Sequence, residues 1–424
     1  MAADLVLQKA PPFTVKQAPA YPENLARYHF GADVKATPQS GSVAKLELSS
    51  NGQDSNVSEA ALLCDDASTG YQLPAGSSSI LVSLSNIENV ESVSFLNDGA
   101  QGEYTIALSN ADLPATSPQW HSLDALAMSK GAITVKVGPG EAKYVRVSFN
   151  ITHPGRIAAF GVYATPAISD FTMPRPRKVS FAENSTSFAL INFNFSDLHA
   201  KARGLYVSSG DAVKVNNMID DQPATVYEFA PGDASPVAVI DLGRERNLSR
   251  LSATYAAQPG SFDFYVLNSL PGAPNEGDSS EVQQIANLPH AADLPSSLKL
   301  TDQTFAGLKP VGSVVGSSTG RASVDFPEIA GRYVMVKWHP ASVPKEAFSI
   351  AQVAAFGRSS SAATGENRQV VDGKELADGK SILDNKDIPA DGPEEAQAPA
   401  EGPPPALPQV PPFTFIPQVP PTSP

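Results

Sequence analysis

The chain of 424 residues holds a single cysteine, Cys64, so no disulfide can form within it. Cys64 lies in the apolar run "ALLCDD" and reads as a small core residue. Tryptophan is nearly as scarce, with only Trp120 and Trp338 present. Charged residues make up 17% of the chain, and the formal net charge is -14. An acidic surface repels phosphate backbones, which argues against a nucleic-acid partner. The densest basic run, "PRPRK" at Pro174–Lys178, reads as a solvated linker rather than a membrane-binding patch. No stretch approaches 18 apolar residues, so no membrane span is expected. The opening "MAADLVLQKAPPF" lacks the basic start and apolar core of a signal peptide. The low charge nonetheless suits a secreted or cell-surface protein.

Catalytic patterns are also missing. The six histidines, at 29, 121, 153, 199, 290 and 339, form no metal-ligand pair at helical spacing. "GSSTG" at Gly316–Gly320 fits a nucleophile motif on paper, but that motif needs a helix directly after it. The next residues, "RASVDF", carry an alternating strand pattern instead. No phosphate-binding glycine loop is present. The chain is not expected to be an enzyme, and no cofactor is implied by its motifs.

What the chain does hold is short β-type runs between turn signals. "SVAKLELSS", "SSILVSLS", "ESVSFLN", "GEYTIALSN", "AITVKVG" and "KYVRVSF" come first, broken at Asn51-Gly52, Asp98-Gly99 and Gly138-Pro139-Gly140. A second set runs through "PVAVIDLG", "LSRLSATYAA", "FDFYVLNS", "RASVDFP", "RYVMVKW" and "IAQVAAFG". Helical periodicity is weak throughout. This predicts an all-β chain of two tandem antiparallel jelly-roll β-sandwiches, at 41–164 and 179–358. An extended proline-bearing arm occupies 1–40, and a proline-bearing linker occupies 165–178. The tail, 359–424, is acidic and then proline-rich, and reads as disordered or partner-bound. Within it, "PQVPP" occurs twice around "FTF", so Phe413, Phe415 and Ile416 stand out as residues that could dock on another subunit.

The two β regions repeat one another. Asp65-Asp66 aligns with Asp220-Asp221, Tyr71 with Tyr227, and "KYVRVSF" with "RYVMVKW". Both copies close on Ala-Ala-Phe-Gly. The second copy, with "DDQPATVYEF", "VAVIDLG", "FDFYVLNS", "GRYVMVKW" and "VAAFG" in order, resembles the discoidin (coagulation factor 5/8 type C) group of galactose-binding-like domains. The first copy joins the resemblance mainly through the second. The resemblance implies eight-stranded jelly rolls with ligands held by loops at one end. Many members also hold a structural calcium through a glutamate in the last strand. Here that stretch carries Gln352 and no acid, which argues against calcium, while the Asp pairs leave it open.

Four stretches supply candidate ligand-binding residues. Trp338 and His339 precede the loop before the last strand, and an exposed indole there could stack on a sugar ring. The other reading of Trp338 is core packing along its strand's alternation. Trp120 and His121 lie in a stretch read as loop. Asp65, Asp66, Asp220 and Asp221 either orient ligand hydroxyls or cap turns. Two functions remain. One is a non-catalytic surface protein that binds carbohydrate or another surface ligand. The other is an assembly subunit whose proline-rich termini tie copies of the chain together.

Overall fold

The computed structural model describes residues 5–37, 59–166, 192–271, 294–342 and 346–358. The fold is all-β, and every strand pairing is antiparallel. In chain order the strands are β1 (Leu5–Lys9), β2 (Asp33–Thr37), β3 (Gly70–Leu73), β4 (Gly76–Asp98) and β5 (Gln101–Ser109). Then come β6 (His121–Ser122), β7 (Leu126–Ala127), β8 (Gly131–His153) and β9 (Gly155–Ala164). The second set is β10 (Asn192–Asn194), β11 (Arg203–Val207), β12 (Tyr227–Glu228), β13 (Val237–Tyr255), β14 (Gly260–Leu267) and β15 (Ser297–Leu300). A one-turn helix, α1 (Asp302–Gly307), precedes β16 (Gly312–Val315), β17 (Arg321–Pro340) and β18 (Ser349–Arg358).

Each half closes into a sandwich because two long strands cross from one layer to the other. In the first half, β4 pairs with β2 through residues 79–83 and with β9 through residues 90–98. A register shift between Ser83 and Glu88 separates the two stretches. β8 accompanies β4 across both layers, and β5 flanks it in the first layer. The second half repeats the plan with β13 and β17 as the long pair, β18 in one layer and β14 in the other. Alternation along these strands supplies the cores. Ile80, Val82, Val145, Val147 and Phe149 point into the first. Ala238, Ile240, Val334, Val336 and Trp338 point into the second.

The register shows which residues of the halves correspond. Val147 faces Ile80, and Val336 faces Ala238. Tyr71 faces Ile157, and Tyr227 faces Ile350. The Ala-Ala-Phe-Gly endings do not coincide. Ser92 faces Tyr163 in the first half, and Arg250 faces Phe356 in the second. Tyr163 therefore matches Phe356, three residues out of step with the letters. The same offset holds before the irregularities of both last strands, since Ile157 matches Ile350, so the shared letters and not the fold are out of step.

The stretch read as an N-terminal arm carries structure of both halves. β1 lies between β11 and β15 of the second sheet, with Leu7 buried. β2 is an edge strand of the first. Between them, residues 24–34 fold over β9. Asn24 Oδ1 accepts from the amides of Ala26 and Val162. Residues 194–203 do the same over β18, where Asn194 Oδ1 accepts from Ser196 and Ala355. Leu25 and Phe195 each donate to the same last strand, to Val162 O and Ala355 O at 2.8 Å. "NLARYHFGA" and "NFSDLHAKA" are thus one recurring element, with His29 matching His199. The tail residues, including Phe413, Phe415 and Ile416, lie outside the described residues.

Candidate functional site

The Asp pairs join the two halves rather than facing an open loop. Arg27, on the element over β9, donates Nε to Asp221 Oδ2 at 2.7 Å and Nη2 to Asp221 Oδ1. Asn24 Nδ2 donates to the same carboxylate at 3.1 Å, and Tyr163 OH donates to Asp221 O at 2.7 Å. From the other side, Arg250 Nε and Ser252 Oγ each donate to Asp66 at 3.1 Å. Arg250 also reaches both oxygens of Asp325. Asp65 accepts from the Asn194 amide at 3.4 Å, and Asp98 pairs with Arg321 at 3.4 Å. Asp220 keeps the capping role, accepting from Thr225 Oγ1 and the Gln222 amide, and Asp66 also caps, accepting from the Ser68 amide at 2.9 Å. Burial pushes the Asp220 carboxyl well above the usual range, and the bonds from Thr225 and Gln222 offset this only in part.

These carboxylates do not fit the calcium that the resemblance raises. Their oxygens are taken by arginine, serine, threonine and backbone donors. Among the described residues no three His, Cys, Asp or Glu side chains converge on a metal position. Gln352 is a buried amide within β18.

The tryptophans are not platforms. Trp338 is 1% exposed and stacks on Phe348 at 4.7 Å with a 4° interplanar angle. Phe262 and Tyr255 complete the cluster at 4.7 and 5.5 Å. A side chain at Gly260 would come within 2.3 Å of the indole, so that glycine makes the room Trp338 fills. Trp120 is 8% exposed, although its surroundings read as loop. Arg146 lies over its ring at 4.1 Å and donates to Leu113 O and Ala115 O, while Trp120 Nε1 donates to Pro114 O. The pair pins residues 113–120 against the sheet. His121 stands exposed on β6. His339 is half-buried and meets Asp263 Oδ2 at 2.7 Å, and Ser313 Oγ bonds the same carboxylate. Ser313 thus bonds the carboxylate directly and not the imidazole, which is not the serine–histidine–acid order of a nucleophile triad. Ser317 of "GSSTG" donates to Arg321 O in the turn between β16 and β17, with no helix after it. Burial pushes the Cys64 thiol up to about 12, which leaves it un-ionised and inert.

His199 Nε2 contacts Tyr21 O at 3.1 Å, and its Nδ1 lies 3.3 Å from Asp197. Burial opposes the imidazolium, but Asp197 outweighs it and the pKa rises above the ordinary histidine value. A raised value in the fold stabilises the protein below the unfolded pKa, about 6.5, and that gain is lost as pH climbs through the folded value. The thermal midpoint is expected to be lower at about pH 8.5 than at about pH 6. His199→Gln should flatten that difference. An identical pH profile in the variant would refute the assignment.

The open site is a trough of about 500 Å³ on the outer face of the first half. Thr37, Ser79, Ser148 and Thr105 are cross-strand neighbours on β2, β4, β8 and β5. Their flanking residues Ala36, Ile80, Val147 and Ile106 are buried, so these four hydroxyls share the solvent side. Ser77, Asn150 and Glu103 form a second row on the same face, two residues along. All seven line the trough, together with Tyr104, Phe149 and Ala125. None of the seven side chains is hydrogen-bonded to another described residue. Gly102 shapes this wall: its φ is 140°, and a side chain there would collide with Asn150 O.

The corresponding face of the second half is covered in part. The row matching Ser79–Ser148–Thr105 reads Val237–Lys337–Asp263. Val239–Met335–Tyr265, the row matching Leu81–Arg146–Ala107, lies buried beside it. The second row has His339 and Ser261 in place of Asn150 and Glu103. Leu294, Leu298 and Leu300 pack on this face, with Phe305 of α1 and Leu308 beside them. Lys337 Nζ lies 3.8 Å from the centre of the Phe305 ring. Sequence patterning does not single out the trough, because Ser and Thr at alternate positions look like any solvated strand face. Only the pairing register brings them into rows.

No known protein family matches the sequence, and no curated protein matches it. Solved structures similar to it include a fucolectin from striped bass (Morone saxatilis) serum, 12% identical over 80% of this chain and 98% of that one, with a TM-score of 0.27. A chitosan-binding module from a Paenibacillus chitosanase/glucanase is 16% identical over 39% of this chain and 99% of the module, with a TM-score of 0.27. A Ruminococcus gnavus fucosidase in complex with fucose is 16% identical over 39% of this chain, with a TM-score of 0.27. The chain spans 27% of the length of that fucosidase.

Proposed function

We propose that the protein is a non-catalytic, secreted or surface-exposed carbohydrate-binding protein, and that its ligand lies in the trough of the first half. The observation that carries this reading is the set of seven polar side chains that face one open concavity and that bond to no other described residue. Hydroxyls and an amide both donate and accept, which suits a ligand made of hydroxyl groups. The volume falls within the ordinary range for small-ligand sites, roughly 300–1,000 Å³. Glu103 is the one charged residue among the described lining, so a neutral ligand suits it better than an anionic one. No aromatic ring stands exposed as a stacking platform among the described residues. Affinity then rests on hydrogen bonds that compete with water, each worth about 1 kcal/mol net. Dissociation constants near about 1 mM for small sugars, or about -4 kcal/mol, are expected.

Titration of neutral glycans followed by protein NMR tests the site. Asn150→Ala and Glu103→Gln lie on the surface and should leave the fold intact while weakening binding about three- to tenfold each. Binding indifferent to both variants would place the ligand elsewhere.

A further inference from the structure

The shape of the trough says more than its polarity, on the footing of the carbohydrate reading above. We infer that it takes an internal stretch of a linear neutral glycan, at least three units long, laid across the strands. The row Thr37–Ser79–Ser148–Thr105 crosses four strands. At the ordinary inter-strand spacing it runs roughly 14 Å. The companion row Ser77–Asn150–Glu103 runs parallel to it, about 7 Å further along the strands. Two parallel polar rows bound a channel whose long axis crosses the strands. A hexopyranose ring advances a chain by about one strand spacing, so each ring can meet one rung of the ladder.

Among the described residues, the lining at the two ends of the channel is small, Thr37 at one and Ala125 at the other. At one end Thr37 sits on β2, which pairs only with β4 among the described residues. At the other, the short β7 extends the sheet beside Glu103 and Tyr104, and Ala125 is the small residue at the margin. A site for a terminal sugar would need a wall at one end of this channel. The covered face of the second half shows what such a wall looks like on this scaffold, with Leu298, Leu300 and Phe305 closing over the sheet.

Calorimetric titration of the full chain with cello-, manno- and malto-oligosaccharides of one to six units, alongside oligouronates, tests this inference. In at least one neutral series, affinity should rise about three- to tenfold per added unit up to three or four units and then level off. Thr37→Val and Thr105→Val, at the two ends of the row, should weaken the trimer more than the disaccharide. Three results overturn the inference while leaving carbohydrate binding in place. They are a monosaccharide bound as tightly as the trimer, affinity that stops rising at two units, and an oligouronate bound more tightly than every neutral chain. If no glycan of any length perturbs the NMR signals of Ser79, Ser148 and Asn150, the carbohydrate reading itself fails.

Discussion

Arg27→Ala is expected to destabilise the protein by about 3–5 kcal/mol. The guanidinium is almost wholly buried and makes two bonds to Asp221, with a third to Phe160 O at 3.0 Å. Burial alone would discourage its charge; the carboxylate of Asp221 outweighs that and keeps Arg27 protonated. Truncation leaves Asp221 buried with only Asn24 as a side-chain partner among the described residues, and a lone buried carboxylate is costly. The loss also falls at the seam, because Arg27 sits on the first half and Asp221 on the second. Urea unfolding should therefore shift strongly for the single variant. Arg27→Met combined with Asp221→Asn should recover part of the loss, since neither partner is then an isolated charge. A single-variant effect below about 1 kcal/mol would show that the pair is not holding the halves together.

The second large effect concerns Trp338. Trp338→Ala should cost about 3–5 kcal/mol, the usual range for emptying a buried aromatic site. The ring is stacked against Phe348 and bounded by Phe262, Tyr255 and the bare backbone of Gly260. Collapse around the gap would need several of these to move together. Its Nε1 is buried and has no hydrogen-bond partner among the described residues. Trp338→Phe forfeits area but no hydrogen bond, and is expected to cost much less than the alanine change. Neither variant should alter glycan affinity at the trough under conditions where the protein remains folded. A change in affinity for the folded Trp338→Phe protein would return the indole to the binding site.

The all-β class was legible because alternation and turn residues agree along most strands, as in "KYVRVSF" and "RYVMVKW". The same alternation supported the core reading of Trp338, which shares its face with Val334 and Val336. The repeat was legible too, but not its endings. Identical letters at Ala158–Gly161 and Ala354–Gly357 suggested one register, and the strand pairing gives another, three residues away. The start of the first half was hidden inside the proline-bearing arm. Asn24 and His29 recur as Asn194 and His199 with the same spacing, and that signal was available. Asp66 and Asp221 could not be placed, because their arginine partners lie 184 and 194 residues away in the chain. The trough depends on register between four strands, which no single stretch of sequence encodes.

The position of β1 bears on how the protein is made. Leu5–Lys9 is translated ahead of every other described strand, yet it pairs with Val207 and Tyr206, and with residues 297–300. At common elongation rates of about 5–20 residues per second, that last partner appears roughly 15–60 s later. During synthesis Leu7, buried in the finished protein, has no complete pocket to enter. β1 is thus translated ahead of every other described strand and is one of the last whose place in the sheet can be completed.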